Sequence, residues 1–335
     1  MKIIIPMAGM GTRLRPHTLT VPKPLIVLAG KSIVQRLVEG ISKLCSEKIS
    51  EIAFVIGNFG ADVEQQLLTI AKNVGAKGKI YYQHQALGTA HAVYCAAESM
   101  TEKTIIAFAD TLFYADFKID NDADSTIWVQ RVKNPENYGV VCIDENGLIK
   151  DFVEKPKNFV SDLAIIGIYY FKESEILRNE IQNLIDNKIM VNGEYQLTTA
   201  LENLKNQGLK FKPAEVREWL DCGNKNITIS THKRILQVEQ ESDYISKNTK
   251  IINSTIVHPC YIADDVIIEN SIVGPFVSVG VNSKIKDSII KNSIIQNNSD
   301  IFQMLIHNSM IGSNTVIHGD VFELSIGDFN NFELK

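Results

Sequence analysis

The residues with the clearest chemical potential follow the first apolar run. Ile3-Ile4-Ile5 leads into Ala8-Gly9-Met10-Gly11-Thr12-Arg13-Leu14-Arg15-Pro16, and Pro22-Lys23-Pro24-Leu25 comes shortly after. Two glycines let the backbone turn tightly and bring amide N–H groups close to an anion, with no Cβ in the way. Arg13 and Lys23 add positive charge on the same segment. The chemistry offered is that of a loop gripping a polyanion. Two better-known glycine patterns fail here. A Walker loop needs Gly-Lys-Ser/Thr after four intervening residues, and the dinucleotide fingerprint needs a third small residue where Leu14 stands. A bare Gly-x-Gly after a strand is equally an ordinary tight turn, so the longer string must carry the assignment.

A second group lies in Tyr82-Gln83-His84-Gln85-Ala86-Leu87-Gly88-Thr89-Ala90-His91-Ala92, a strand end running into a helix. The Gln83 amide can give both a donor and an acceptor to a heterocyclic base edge, and the Gly88 N–H can approach a base carbonyl unobstructed. Taken alone, Gln83 reads as readily as a solvated strand end, and His91 reads as packing on its helix. Asp110 closes the run Phe108-Ala109-Asp110, where an Asp is often a turn former.

The string Gly-x-Gly-Thr-Arg-Leu-x-Pro-x-Thr, with Pro-Lys-Pro-Leu after it, resembles the signature loop of the sugar-1-phosphate nucleotidylyltransferases, and the resemblance runs through about the first 225 residues. It implies a Mg²⁺-dependent enzyme that joins a nucleoside triphosphate to a sugar 1-phosphate and releases pyrophosphate. Arg13 and Lys23 then take catalytic positions on the triphosphate. Ala8, Gly9, Gly11, Thr12, Gln83, Gly88 and Thr89 fall in the nucleotide-binding segments, with Gln five residues before Gly typical of dTTP or UTP users. Asp110 and Asp221, in Trp219-Leu220-Asp221-Cys222-Gly223, match the metal-binding aspartates, and two carboxylates with phosphate oxygens and water suit octahedral Mg²⁺. Ala109 stands where the family usually has Gly. On the sugar side, Gly139 in Asn137-Tyr138-Gly139-Val140, Glu154 and Lys155 in Glu154-Lys155-Pro156, and Glu194 in Glu194-Tyr195-Gln196-Leu197-Thr198 resemble the sugar-phosphate pocket. Glucose 1-phosphate is the sugar the resemblance favours. A non-catalytic regulatory homologue and a GTP-using mannose-1-phosphate guanylyltransferase are the competing readings. The presence of Arg13, Lys23 and Asp110 favours the enzyme over the first.

These residues need a scaffold, and the first two thirds of the chain describe one. Ile3–Ile5, Ile52–Ile56 and Ile105–Ala109 are continuous apolar runs, as in parallel strands covered on both faces. Between them, Ser32 and Gln35 have capping-box spacing, and Ile33, Leu37, Ile41 and Leu44 share a helical face. Further helices fit Ala61–Val74 and Thr89–Met100. The pattern predicts an α/β fold, a doubly wound, mixed, mostly parallel Rossmann-like sheet with its ligand site at the carboxyl ends of the strands.

From Asn248 the texture changes. Ser254, Ser271 and Ser288 recur every seventeen residues, in Asn253-Ser254-Thr255-Ile256, Asn270-Ser271-Ile272-Val273 and Asp287-Ser288-Ile289-Ile290, and Asn292-Ser293-Ile294-Ile295 and Asn308-Ser309-Met310-Ile311 repeat the theme. Two six-residue faces and one five-residue face make such a turn, so a left-handed parallel β-helix is expected, with Ile317–Ile326 as a cap. The expected division is residues 1–225 catalytic, 226–247 a linker helix and 248–335 the β-helix. The coil favours a homo-oligomer and serves as an assembly or allosteric module, or as an acyltransferase with His258, His307 or His318 as base.

Bulk properties fit this reading. A formal charge of -5 over 335 residues gives no basic face for nucleic acid. No stretch reaches the roughly 18 apolar residues of a membrane span, and the N-terminal apolar run stops too early for a signal peptide. Five scattered cysteines with no C-x-x-C pair point to a reducing cytoplasm.

Overall fold

The computed structural model describes residues 1–116 and 124–320. The chain divides into two compact units: residues 1–26 with 31–227, and residues 27–30 with the chain from Thr228 onward.

The first unit is built on strands β1 (Lys2–Pro6), β2 (Glu51–Ile56), β3 (Lys77–Tyr82) and β4 (Thr104–Ala107), joined through helices α1 (Ile33–Leu44), α2 (Ala61–Asn73) and α3 (Thr89–Tyr94). These four strands are parallel and lie in the order β4-β1-β2-β3. Strand order therefore reverses between β1 and β4, the switch point where open α/β sheets leave a crevice at their carboxyl ends. Ile3, Ile4, Ile5, Ile52, Phe54 and Ile105 are fully buried, as strands covered on both faces require. The Ser32 hydroxyl accepts from the Gln35 N–H at 3.2 Å, capping α1. Below that cap Ile33, Leu37, Ile41 and Leu44 are buried. Each such side chain contributes about 1.5–3 kcal/mol, an upper figure because denatured chains already hide some apolar surface.

One helix departs from the sequence expectation. Helix α3 stops at Tyr94 rather than Met100, and a 3₁₀ turn follows at Ala97–Ser99. There the buried Ser99 hydroxyl donates to Glu51 Oε1 at 2.6 Å, so a buried polar demand competes with helical continuation. The sheet is mixed, as expected: past β4 it continues with reversed direction. Strands β5 (Thr111–Tyr114), β6 (Ser125–Arg131), β7 (Gly139–Ile143), β8 (Ile149–Glu154) and β9 (Leu163–Phe171) follow in the chain. Strand β9 lies antiparallel to β4 and β6, and the β7–β8 hairpin extends the β9 side. Helices α4 (Ser174–Asp186) and α5 (Leu197–Asn206) precede β10 (Phe211–Glu215), which joins β6 in parallel, and β11 (Glu218–Asp221), which pairs with β5 alone.

Helix α6 (Lys225–Val238), in the second unit from Thr228 onward, leads into a parallel β-helix whose short strands start at Tyr244 and stack in three sheets. Cys260, Ile262, Ile268, Val277, Ile285, Ile290 and Ile301 fill its interior. The coil length is seventeen residues through Lys250↔Ile267↔Lys284, then sixteen through Lys284↔Asp300↔Val316. The expected period thus shortens by one residue midway, in the third corner, where the step from Val273 to Val277 gives way to the shorter one from Ile290 to Ser293. Asn253, Asn270, Asp287 and Gln303 hold one corner in the left-handed region, and Asp265, Asn282, Asn298 and Asn314 hold a second. Asn tolerates that conformation best after Gly, and its amide serves a further purpose here. Asn253 donates to Asn270 (2.8 Å), Asn270 to Asp287 (3.0 Å), and Asn298 to Asn314 (3.0 Å). A serine ladder runs beside it: Ser254 accepts from the Ser271 N–H, and Ser271 from that of Ser288, each at 3.0 Å. Residues 27–30 belong to this unit, and Gln296 donates to the Val27 carbonyl at 3.0 Å. His258 sits 2.7 Å from Asp243, while His307 and His318 lie on exposed strand ends elsewhere. The expected cap at 317–326 falls mostly outside the described residues.

Candidate active site

The glycine loop leaves β1 at the switch point, and its shape is set by one glycine. Gly11 has φ +58, and a Cβ there would lie 2.9 Å from Lys23 Cβ and 3.1 Å from Thr18 Cγ2. The Thr18 hydroxyl donates to the Gly11 carbonyl at 2.9 Å. Gly11 is therefore what allows the segment around Lys23 to press against the loop, bringing both parts of the sequence signature to one place. Lys23 is buried, and its Nζ lies 2.9 Å from Asp110 Oδ2. Arg13 is exposed at the mouth.

Asp110 is held by a turn rather than by β4 itself. Phe108 N–H donates to the Gly167 carbonyl (3.0 Å), and the Thr111 hydroxyl donates to that of Ile166 (2.7 Å). Both acceptors belong to the irregular stretch of β9 where its register shifts. The β5–β11 ribbon then pairs Thr111 with Asp221, and Cys222 N–H donates to the Asp110 carbonyl at 3.1 Å. Two carboxylates far apart in sequence thus become neighbours. Burial pushes the Asp221 pKa above the usual carboxylate range; Asp110 pushes it the same way, and Lys23 and Arg13 offset part of this.

Across the crevice, Gln83 follows β3. Its Nε2 lies 3.1 Å from His91 Nδ1 and 3.4 Å from the Gly88 carbonyl. Gly88 has φ +108, and a Cβ there would fall 2.5 Å from the Tyr195 carbonyl oxygen. Tyr195 N–H donates to the Leu87 carbonyl (2.8 Å) and Ala90 N–H to that of Tyr195 (2.9 Å). Thr89 caps the arrangement, its hydroxyl accepting from Leu197 N–H at 2.9 Å. The 87–90 turn and the 194–197 segment are consequently one wall.

These parts enclose a cavity of about 410 Å³, within the size range of small-molecule sites. Ala8, Gly9, Gly11, Thr12, Arg13, Lys23, Gln83, Gly88, Thr89, Asp110 and Glu194 all line it. Gly223 also lines it, unmarked by the sequence reading; a Cβ there would meet Asp221 Oδ2 at 2.8 Å, so this glycine leaves room for the carboxylate. Asp221, Gly139, Glu154 and Lys155 lie outside that lining. The last three form their own group. Gly139 pairs with Glu154 across the β7–β8 hairpin, the Thr198 hydroxyl is 3.5 Å from Glu154 Oε2, and Lys155 Nζ is 3.8 Å from Glu154 Oε1. Tyr138 connects this group to the carboxylates. Its ring packs edge-on against Trp219 at 5.0 Å, and burial together with Asp221 raises its pKa, with Arg13 acting the other way. Nothing local to Tyr138 in the sequence reveals its neighbour Asp221.

The electrostatics bear on a cation. Asp110 and Asp221 repel, and Lys23 compensates only part of that charge. Among the described residues no group of three or more His, Cys, Asp and Glu side chains could hold a metal. Asp110 and Asp221 carry hard oxygen donors, the ligand type that Mg²⁺ takes together with phosphate oxygens and water.

A family model described as "Nucleotidyl transferase" matches residues 2–238. The chain belongs to the nucleotidyl transferase family. It is 26% identical to a glucose-1-phosphate thymidylyltransferase of Streptomyces antibioticus over the full length of both proteins. It is 33% identical to the mannose-1-phosphate guanylyltransferase catalytic subunit beta of Drosophila melanogaster over 54% of this chain and 51% of that one. The fold is shared with a Bacillus anthracis crystal structure assigned as a glucose-1-phosphate thymidylyltransferase, with a TM-score of 0.61 at 20% identity, covering 72% of this chain and 98% of that one. Among the described residues no helix is long and apolar enough to cross a membrane.

Proposed function

We propose that the chain transfers a nucleotidyl group from dTTP or UTP to glucose 1-phosphate, with Mg²⁺, releasing pyrophosphate. The observation that supports this is the gathering of the glycine loop, Arg13, Lys23, Asp110 and the Gln83–Gly88 turn around one cavity. The full-length likeness to a thymidylyltransferase supports the same choice of substrates.

The attacking atom is a phosphate oxygen of the sugar 1-phosphate, already anionic at neutral pH, so the step needs no general base. A bond forms from that oxygen to the α-phosphorus of the triphosphate. The bridging bond to the β-phosphate breaks, and pyrophosphate departs with its electron pair. The barrier is largely the approach of one polyanion to another, and it falls when charge is neutralised and the reacting oxygens are held in line. The amides of residues 8–12 wrap the triphosphate, Arg13 holds its α- and β-phosphates, and buried Lys23 helps bind the reacting phosphate oxygens. Lys155 binds the sugar phosphate, while Gly139, Glu154 and Glu194 meet sugar hydroxyls. Asp110 and Asp221 hold Mg²⁺, which when bound supplies Lewis-acid neutralisation of phosphate charge.

A guanylyltransferase reading is favoured by the likeness to the fly subunit. Mass spectrometry of the product from each triphosphate with glucose 1-phosphate and with mannose 1-phosphate separates the two: dTDP- or UDP-glucose is expected, and a GDP-sugar alone would overturn the base assignment. We further propose a cytoplasmic homo-oligomer assembled through the β-helix. Ile272, Ile289 and Leu305 stack in register facing outward, and an apolar ladder of this kind marks an association surface. Sedimentation of Leu305→Lys tests this, since an unchanged mass would remove that face from the assembly.

A further inference from the structure

We propose that His91 is a positioning residue that locks the Gln83 amide in one orientation, so that the pocket selects bases donating a ring N–H over bases with a bare ring nitrogen. The inference rests on the base-binding role proposed above for Gln83. The geometry fixes the orientation in two steps. One end of the Gln83 amide faces both the Gly88 carbonyl oxygen, at 3.4 Å, and His91 Nδ1, at 3.1 Å. A carbonyl oxygen only accepts, so the atom facing it must be the NH₂ group. The second NH₂ proton then points at His91, whose Nδ1 must carry the lone pair, with the ring proton on Nε2. Burial holds the His91 pKa below the usual imidazole range, which keeps that lone pair available at neutral pH.

With both amide protons engaged, Gln83 has only Oε1 left, a pure acceptor. Uracil, thymine and guanine present a ring N–H to such an acceptor. Cytosine and adenine present a ring lone pair at the equivalent atom, and two facing acceptors repel. Uracil and cytosine have nearly the same size, so their discrimination isolates this contact from shape. Without His91 the amide can flip, and its NH₂ group can then serve cytosine.

The experiment measures kcat/KM for UTP and CTP at fixed glucose 1-phosphate in the full chain. The variants are His91→Leu, which removes the acceptor, His91→Gln, whose carbonyl can replace it, and Gln83→Leu. The UTP:CTP ratio is expected to fall about 10- to 100-fold in His91→Leu, mostly through KM for UTP. His91→Gln is expected to retain most of the ratio. General damage would lower both nucleotides alike and leave the ratio at the wild-type value, which would overturn the proposal. A ratio that collapses in Gln83→Leu but survives in His91→Leu defeats the positioning role alone. A ratio untouched in Gln83→Leu defeats the base-binding reading beneath it.

Discussion

Replacing Gly88 by Ala puts the rigid wall between the 87–90 turn and the 194–197 segment to a quantitative test. The added Cβ would sit 2.5 Å from the Tyr195 carbonyl oxygen, 2.8 Å from its nitrogen and 2.9 Å from Glu194 Cβ. Ordinary contact begins at 3.4 Å, so the two segments must part by about 0.9 Å. Gly88 also has φ 108 and ψ 177, a region essentially restricted to glycine, which adds about 1–3 kcal/mol of strain. Separation weakens the Tyr195–Leu87 and Ala90–Tyr195 backbone bonds at about 1 kcal/mol each. A loss of about 3–5 kcal/mol leaves most domains folded, while lowering Tm by about 10 °C. Misplacing the wall by nearly 1 Å should reduce kcat/KM by about 100-fold. Thermal unfolding followed by circular dichroism and pyrophosphate release reads both. Gly9→Ala is the contrast, because no atom lies within 4 Å of its added Cβ. That variant should shift stability by less than about 0.5 kcal/mol and lose activity only by crowding the bound anion. Wild-type Tm and turnover in Gly88→Ala would refute the packing argument.

Three further outcomes are expected. Arg13→Ala, at an exposed position, should leave Tm unchanged and lower kcat about 100- to 1000-fold in pyrophosphate release; near wild-type turnover would remove the loop from catalysis. The raised pKa of Asp221 means its ionised form costs stability at neutral pH. That cost is full above the folded-state pKa and disappears as pH falls through it toward the ordinary Asp value. Asp221→Asn should therefore raise Tm at pH 7 in EDTA, have no such effect at pH 3, and weaken Mg²⁺ activation; an equal Tm gain at both pH values would contradict the assigned cause. Asn298→Ala breaks the bonds to Asn282 (3.4 Å) and Asn314 (3.0 Å) at a corner with φ 56. It should destabilise the β-helix by about 1–2 kcal/mol, visible as a lower transition in calorimetry of the full chain, and an unshifted transition would show that the ladder contributes little.

What the sequence made legible is what chain-local physics encodes. The Ser32–Gln35 cap, the α1 face and the three apolar strands depend on neighbours a few residues away, and the structure reproduces them. The serine and asparagine strings likewise disclose the coil, since each corner needs the same left-handed residue. Non-local pairing stayed hidden. Nothing near Asp110 or Asp221 announces the β5–β11 ribbon that joins them, and nothing near Phe108 announces the β9 irregularity that shapes its turn. The early stop of α3 arises from Ser99 bonding to Glu51, again a distant residue. The loss of one residue per coil after Lys284 is invisible in a repeat read from its first serines. His91 shows the same limit: its helix position suggests packing, and only the fold reveals the Gln83 amide beside it.

The proposed Mg²⁺-dependent nucleotidyl transfer to a sugar phosphate spans the glycine-loop cavity and the Gly139–Glu154–Lys155 group beside it. Its most direct test is pyrophosphate release by the full chain, crossing dTTP, UTP, GTP, CTP and ATP against a panel of sugar 1-phosphates, with Mg²⁺ and with EDTA. Turnover with dTTP or UTP and glucose 1-phosphate, abolished by EDTA, is the predicted result. Silence across the panel from a folded protein that also fails to bind any triphosphate would contradict the account and favour a regulatory homologue.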